Sequence, residues 1–252
     1  MSNPMIDNPF EAPRDPSFPP LFQAQAASGS EDPFHKARAL AALGCDSGTL
    51  VHSITPDRLH AAIVFAPEMP LERAMQAFCA CATGFQNAFG ALAPPEVALH
   101  LGWEGDILVN GAKSGLLQVA ASHSDPKTIP DWLVIGLEVW LIPQAGQEPG
   151  NAPDRTCLFL EGCAEVSPLE LLEGWARHSL VWVNEVVGGD IKALHAEWRE
   201  LLYGVGSEVV LSVAGQQMRG TFLGADADFA MLLRALPETR LIPLTSLLEE
   251  LT

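Results

Sequence analysis

Gly102-Trp103-Glu104-Gly105-Asp106-Ile107-Leu108-Val109-Asn110-Gly111-Ala112-Lys113-Ser114-Gly115-Leu116-Leu117 is the stretch on which the fold turns. Asn110-Gly111 supplies the two positive-φ positions of a tight hairpin turn, so the apolar residues 107–109 and 116–120 are predicted to be paired antiparallel strands. Just before them Val97, Leu99, Leu101 and Trp103 alternate with other residues, as in a half-buried strand. A polar interval follows, and then an apolar run over residues 132–142, rich in Val, Ile and Trp, reads as a central strand.

Working towards the N-terminus, Leu71, Ala74, Met75, Phe78, Ala82, Phe85 and Phe89 recur at three- and four-residue intervals behind Pro70 and form one apolar stripe. That spacing marks a core helix. Residues 49–54 and 59–65 are strand-like and flank Thr55-Pro56-Asp57-Arg58, a turn with Pro where its fixed φ fits. Asp32-Pro33 reads as an N-cap and first helical residue of a short helix to residue 43, stopped at Gly44. Residues 1–31 hold six prolines and a Gln/Ala/Ser stretch, which favours extended or disordered backbone, with Phe18 and Phe22 available for docking.

Towards the C-terminus, Ser167-Pro168-Leu169-Glu170 has capping-box spacing and opens a helix to about residue 187. Gly188-Gly189 breaks it, and Asp190 is read as the cap of a second helix to about residue 202. From residue 207 onward short β runs alternate with turns at Ala214-Gly215, 224–228 and 236–238, the pattern of a small barrel. The fold class is α+β. The expected divisions are a Pro-rich segment (1–31), a larger domain (32–203) and a small barrel (204–252).

Composition narrows the functions. With 14 Lys+Arg against 31 Asp+Glu, the formal charge of −17 repels a phosphate backbone, so nucleic acid is not an expected partner. No apolar run is long enough to span a bilayer, and no basic region followed by an apolar run marks a signal peptide, so a cytoplasmic protein without a membrane partner is expected. The five cysteines include no C-x-x-C pair, and the seven histidines include no H-x-x-x-H ligand pair, so they are read as packing or scattered residues and no metal-ligand set is assigned to them.

The opening stretch resembles the biotin protein ligase segment W-P-N-D-(apolar)3-N-G-x-K-(x)2-G-I-L. Val134-Ile135-Gly136-Leu137-Glu138-Val139 is similar to that family's later V-I-G-I-N-V strand. Residues 171–200 resemble its closing helix pair, and Gly220-Thr221-Phe222-Leu223-Gly224-Ala225-Asp226 resembles a turn of its C-terminal SH3-like domain. The resemblance covers residues 44–248 and implies a biotin/lipoate ligase-like mixed sheet flanked by helices, plus a small SH3-like β-barrel.

It also implies an activity. A biotin- or lipoate-type carboxylic acid would attack the α-phosphate of ATP, and the acyl-adenylate would pass to a lysine of an acceptor protein. Such chemistry needs cations where phosphoryl and carboxyl charge builds, and a carboxylate for Mg²⁺. By resemblance, Lys113 bridges the substrate carboxylate and the α-phosphate, and Asp106 faces the nucleotide and metal. Trp103, Gly105, Asn110, Gly115, Gly136 and Glu138 fall on the ligand-binding positions.

Counted from Trp103, Lys113 holds the family position, whereas counted back from Gly115 it is one residue off. Without the structure each residue also has a plain role: Lys113 and Asp106 as turn-flanking groups, Trp103 and Trp140 as core. Two departures bear on activity. The family's G-R-G-R-x-G-R loop between its first strands has no counterpart, because no glycine occurs from residue 49 to 83. Gly105 and Glu138 also replace asparagines. A pseudo-ligase that binds a small carboxylic acid or a protein partner without chemistry is therefore the alternative, and an interaction scaffold the third.

Overall fold

The computed structural model describes residues 15–143, 154–213 and 216–249. The first sheet draws β1 (Gln23–Ala26), β2 (Thr49–Ile54), β3 (Arg58–Phe65), β4 (Leu99–Leu101), β5 (Asp106–Val109), β6 (Ala112–Ala121) and β7 (Leu133–Trp140) into the order β1-β2-β3-β7-β6-β5-β4. Only β1 and β2 run parallel; every other neighbour is antiparallel. The Pro-rich segment therefore contributes an edge strand. All four of its residues are exposed, so backbone pairing rather than burial holds it.

Two helical layers cover the sheet. One is α1 (Pro33–Ala42), capped by Asp32, whose carboxylate accepts from the His35 amide. Its Phe34, Ala37 and Ala41 pack on Val51, Ala62, Val64, Ala120 and Val134. On the other side α2 (Leu71–Ala74) and α3 (Gln76–Leu92) follow one another across Met75, and α3 packs lengthwise on α4 (Pro168–Gly188). This position between sheet and α4 explains why α3 is buried almost all round, well beyond the apolar stripe that its sequence displays. Ser167 caps α4 at its start, and Gly189 at φ +80° ends it.

α5 (Lys192–Leu201) leads to β8 (Glu208–Val213), β9 (Gln216–Ala225), β10 (Met231–Ala235) and β11 (Glu238–Ile242), an antiparallel four-stranded sheet in the order β11-β10-β9-β8. The Ala214-Gly215 turn and residues 1–14 lie outside the described residues. Leu211, Phe222, Phe229, Met231 and Leu233 join the same core as the larger sheet. The chain then returns: Leu248 forms a bridge with Val119, and the Glu249 side chain meets Arg38 of α1 and Gln118 of β6.

Candidate functional site

On the face that carries α1, the register sets Ser53 opposite His60, His60 opposite Glu138, Glu138 opposite Leu116, and Leu116 opposite Asp106. Directly opposed residues of antiparallel strands share a face, so these five form one row across five strands. In the next row, Val51, Ala62 and Gly136 lie beneath α1. A Cβ added to Gly136 would meet Phe34 Cδ2 at 2.6 Å, so the space over this glycine is filled by the protein's own ring. The row of Ser53, His60 and Glu138 thus lies just beyond the N-terminal start of α1.

Lys113 joins this face through a β-bulge. Ile107 pairs with Gly115 and Leu108 with Lys113, which leaves Ser114 as an extra residue on β6. The extra residue accounts for the one-residue offset in the sequence: it restores Lys113 to the side that Asp106 occupies, and the two side chains form an ion pair. The Lys113 backbone is held separately, since its amide donates to the Asp154 carbonyl and its carbonyl accepts from Thr156. Partial burial and the nearby Asp106 push the Glu104 carboxyl above its ordinary range, with Lys113 opposing them.

About 10 Å away, two strand spacings along the row, Glu138 gathers a second group. Its Oε1 accepts from Arg58 Nη1 and from the Trp140 indole, both at 2.8 Å. His60 Nε2 is 3.3 Å from the same oxygen but off the line of a hydrogen bond, and its Nδ1 is 3.7 Å from Asp32 Oδ2. These contacts attract when the imidazole is protonated. Burial raises the Glu138 carboxyl; the His60 and Trp140 contacts and the charges of His60 and Arg58 outweigh it, so the net shift is downward. The Arg155 guanidinium lies 4.4 Å from the centre of the Trp140 ring.

The β2–β3 connection is only Thr55-Pro56-Asp57, closed by the Thr55 amide on the Arg58 carbonyl at 2.9 Å and by the Thr55 hydroxyl on Asp57. A tight turn thus stands where the family's Gly/Arg-rich loop would be. Ser30, Asp32, Ser53, Thr55, Arg58 and His60 line a cavity of about 160 Å³ between this turn and the start of α1.

The other residues singled out from sequence lie off this row. Trp103 is 3% exposed, and its indole donates to the Phe229 carbonyl at 2.9 Å, at the contact with the C-terminal sheet. Gly105, at φ +105°, builds the turn before β5, where an added Cβ would be 2.5 Å from the Leu117 carbonyl oxygen. Asn110 sits at φ 51° in its hairpin, accepts from the Ala98 amide and donates to Glu161. Gly115 lets β6 approach β7, since its Cβ would be 2.3 Å from the Glu138 carbonyl oxygen. Arg58, His60 and Arg155 were not picked out by sequence. The alternation of His60 with Ala62 and Val64 carried a signal for the first of these faces, but the partner on β7 is not readable from β3.

Residues 18–200, most of the chain, match the model described as the biotin/lipoate A/B protein ligase family. The chain belongs to that family. Residues 213–250 match a second model, a domain of unknown function (DUF4444). Among curated relatives, a biotin–[acetyl-CoA-carboxylase] ligase of Paracoccus denitrificans is 25% identical over 182 residues, covering 72% of this chain and 75% of that protein.

Among solved structures of this fold, a biotin protein ligase-like protein of unknown function from Silicibacter sp. is 49% identical with a TM-score of 0.86, covering 94% of this chain and all of the other. The Aquifex aeolicus biotin protein ligase superposes with a TM-score of 0.70 at 14% identity, over 88% of this chain and 95% of that one. At that identity the likeness speaks for the ligase fold alone. The seven-stranded mixed sheet flanked by helices and the separate four-stranded C-terminal sheet match the biotin ligase fold. No helix among the described residues is long and apolar enough to cross a membrane.

Proposed function

We propose that this chain is an acyl ligase of the family, acting in the cytoplasm, that activates a biotin- or lipoate-type carboxylic acid with ATP and passes it to an acceptor-protein lysine. The observation that carries this proposal is the Lys113–Asp106 pair on the half-buried row. The acid's carboxylate oxygen would bond to the α-phosphorus as pyrophosphate leaves, and the lysine amine would then displace AMP from the acyl carbon. Lys113 suits the first step because one ammonium can face both the carboxylate and the α-phosphate, where negative charge concentrates. Glu138 would border the acid, while Gly136 lies covered by Phe34 and Trp103, Gly105, Asn110 and Gly115 would act through the turns and pairing that hold Lys113 and Asp106.

An Aquifex aeolicus relative has been crystallised with biotin and ATP, which supports the choice of nucleotide. Asp106 with the nearby Glu104 offers the carboxylate oxygens that Mg²⁺ takes together with nucleotide phosphates. Among the described residues no three His, Cys, Asp or Glu side chains converge to hold a metal unaided. Magnesium would therefore arrive as the nucleotide complex, where it would offset phosphate charge.

One observation favours a second role, binding of a small carboxylic acid without ATP chemistry. The Thr55-Pro56-Asp57 turn offers no glycine amides to a triphosphate, and Arg58 and Lys113 are each already paired with a carboxylate. A thermal-shift panel of biotin, lipoate, octanoate and their adenylates, with and without ATP·Mg²⁺, separates the two. A ligase is stabilised more by one adenylate than by its free acid; equal stabilisation by both favours the non-catalytic role.

A further inference from the structure

Helices α3 and α4 enclose a second cavity on the other side of the sheet. They close on one another through small residues: a Cβ added to Gly84 would lie 2.7 Å from the Ser179 amide nitrogen, and one added to Gly174 would lie 2.9 Å from the Ala88 Cβ. Packed helices cross at an angle, so they diverge away from their closest contact. Where α3 begins and α4 ends, the side chains available are Ala74 and Ala77 against Val183 and Val186, too small to fill the gap beneath the end of the sheet. A cavity of about 330 Å³ remains, walled further by Phe65, Met69 and Leu133.

This cavity is remote from the Lys113 row. Phe65 pairs with Leu133 at the far end of β3 from Arg58, roughly 20 Å along the strand. Ala74, Ala77, Leu133 and Val186 also belong to the core on the α3 side, whereas the row lies on the face that α1 covers. The volume falls at the lower end of small-molecule sites, roughly 300–1,000 Å³, and the walls are apolar as theirs are.

Two polar side chains line it. Ser47 Oγ accepts from the Ala66 amide at 3.3 Å and keeps its own proton to donate. Glu68 is exposed, and among the described residues its carboxylate has neither a hydrogen bond nor an ion pair. The nearby cations point elsewhere: Lys127 holds Glu72 at 2.8 Å, and Arg73 Nη2 lies 3.9 Å from where Gly189 would carry a Cβ, past the end of α4. An acid entering the cavity would therefore meet a like charge, whereas an ammonium would meet a free carboxylate.

We infer that this cavity is a binding site for a small apolar amine, whose hydrocarbon part fills the space between α3, α4 and the sheet end and whose ammonium pairs with Glu68. The inference does not rest on the ligase proposal, and it requires binding alone.

Methyl NMR of the full chain with labelled methionine tests it, read at the Met69 methyl with hexylamine, hexanol and hexanoate as probes. Hexylamine is expected to bind about threefold or more tighter than hexanol, the scale of a part-exposed ion pair, and hexanoate more weakly than either. Glu68→Gln should bring hexylamine to the affinity of hexanol and leave hexanol unchanged. Ala77→Leu, which occupies the cavity, should weaken hexylamine and hexanol about tenfold or more. An amine is also drawn loosely to any chain of net charge −17, so only the binding lost on filling the cavity counts.

A Met69 methyl that answers to none of the probes overturns the inference. So does hexanol or hexanoate binding as tightly as hexylamine, an unchanged preference in Glu68→Gln, or unchanged binding when the cavity is filled. Self-association through the exposed Val187 at its mouth would shift the Met69 methyl with protein concentration and without a probe, and that result also overturns it. If Ala77→Leu does not fold, Val183→Phe, which enters from the half-buried side of α4, takes its place.

Discussion

The Trp103 indole donates to the main-chain carbonyl of Phe229 at 2.9 Å, and both residues are buried. The bond ties the turn that precedes Asp106 to the C-terminal sheet. Beside it, His195 stacks edge-on against the Phe229 ring at 5.1 Å. Trp103→Phe keeps most of the apolar contact but leaves the carbonyl without its donor, so a loss of about 1–3 kcal/mol is expected. Urea unfolding measures it; an unchanged midpoint would mean that the bond is replaced or immaterial.

Phe34 and Gly136 form a second test. Gly136→Ala puts a methyl 2.6 Å from the Phe34 ring and should cost about 1–3 kcal/mol by overpacking. Phe34→Ala alone should cost about 3–5 kcal/mol. The double substitution should cost less than the sum, because removing the ring relieves the clash. Additive losses in a double-mutant cycle would show that the two positions are not in contact.

Gly115 faces backbone rather than a side chain, so nothing flexible can yield. With its Cβ 2.3 Å from the Glu138 carbonyl oxygen, Gly115→Ala must push β6 from β7, at about 3 kcal/mol or more. Thermal melts followed by circular dichroism read the effect. A near-native melting temperature would contradict the close strand approach.

Acid should weaken the fold through Glu138. Its carboxyl titrates lower in the folded chain than its ordinary value of 4.5. The stability this contributes is present above that value and is lost as pH falls through the folded one. The native chain should therefore lose more of its melting temperature between about pH 5 and 3 than Glu138→Gln does. Parallel pH profiles for the two would remove Glu138 from the acid response.

Much of this fold was legible because its signals are local. Asn110-Gly111 needs positive φ, and Asp32-Pro33 and Ser167-Pro168 offer caps; each gives its element without reference to the rest of the chain. β1 was not legible, since its exposed residues carry no burial pattern and only pairing with β2 makes it a strand. Trp103 follows the alternation of Leu99 and Leu101, yet the strand ends at Leu101 and the indole turns to the C-terminal sheet. Within the site, Lys113 and Asp106 stood out from their motif, but the bulge that aligns them did not. The Arg58 and His60 contacts to Glu138 depend on the β3–β7 register, which joins residues some 80 positions apart, whereas Trp140 reaches it from two residues along the same strand.

The ligase proposal stands most directly on ATP–pyrophosphate exchange. With biotin, lipoate or octanoate supplied in turn, the native chain should exchange label into ATP with one of these acids. Lys113→Ala should lower that rate by about a hundredfold or more, as expected when a group that stabilises transition-state charge is removed, while the melting temperature is retained. Exchange that proceeds equally without Lys113, or exchange with none of the acids by a native chain that binds them, would contradict it.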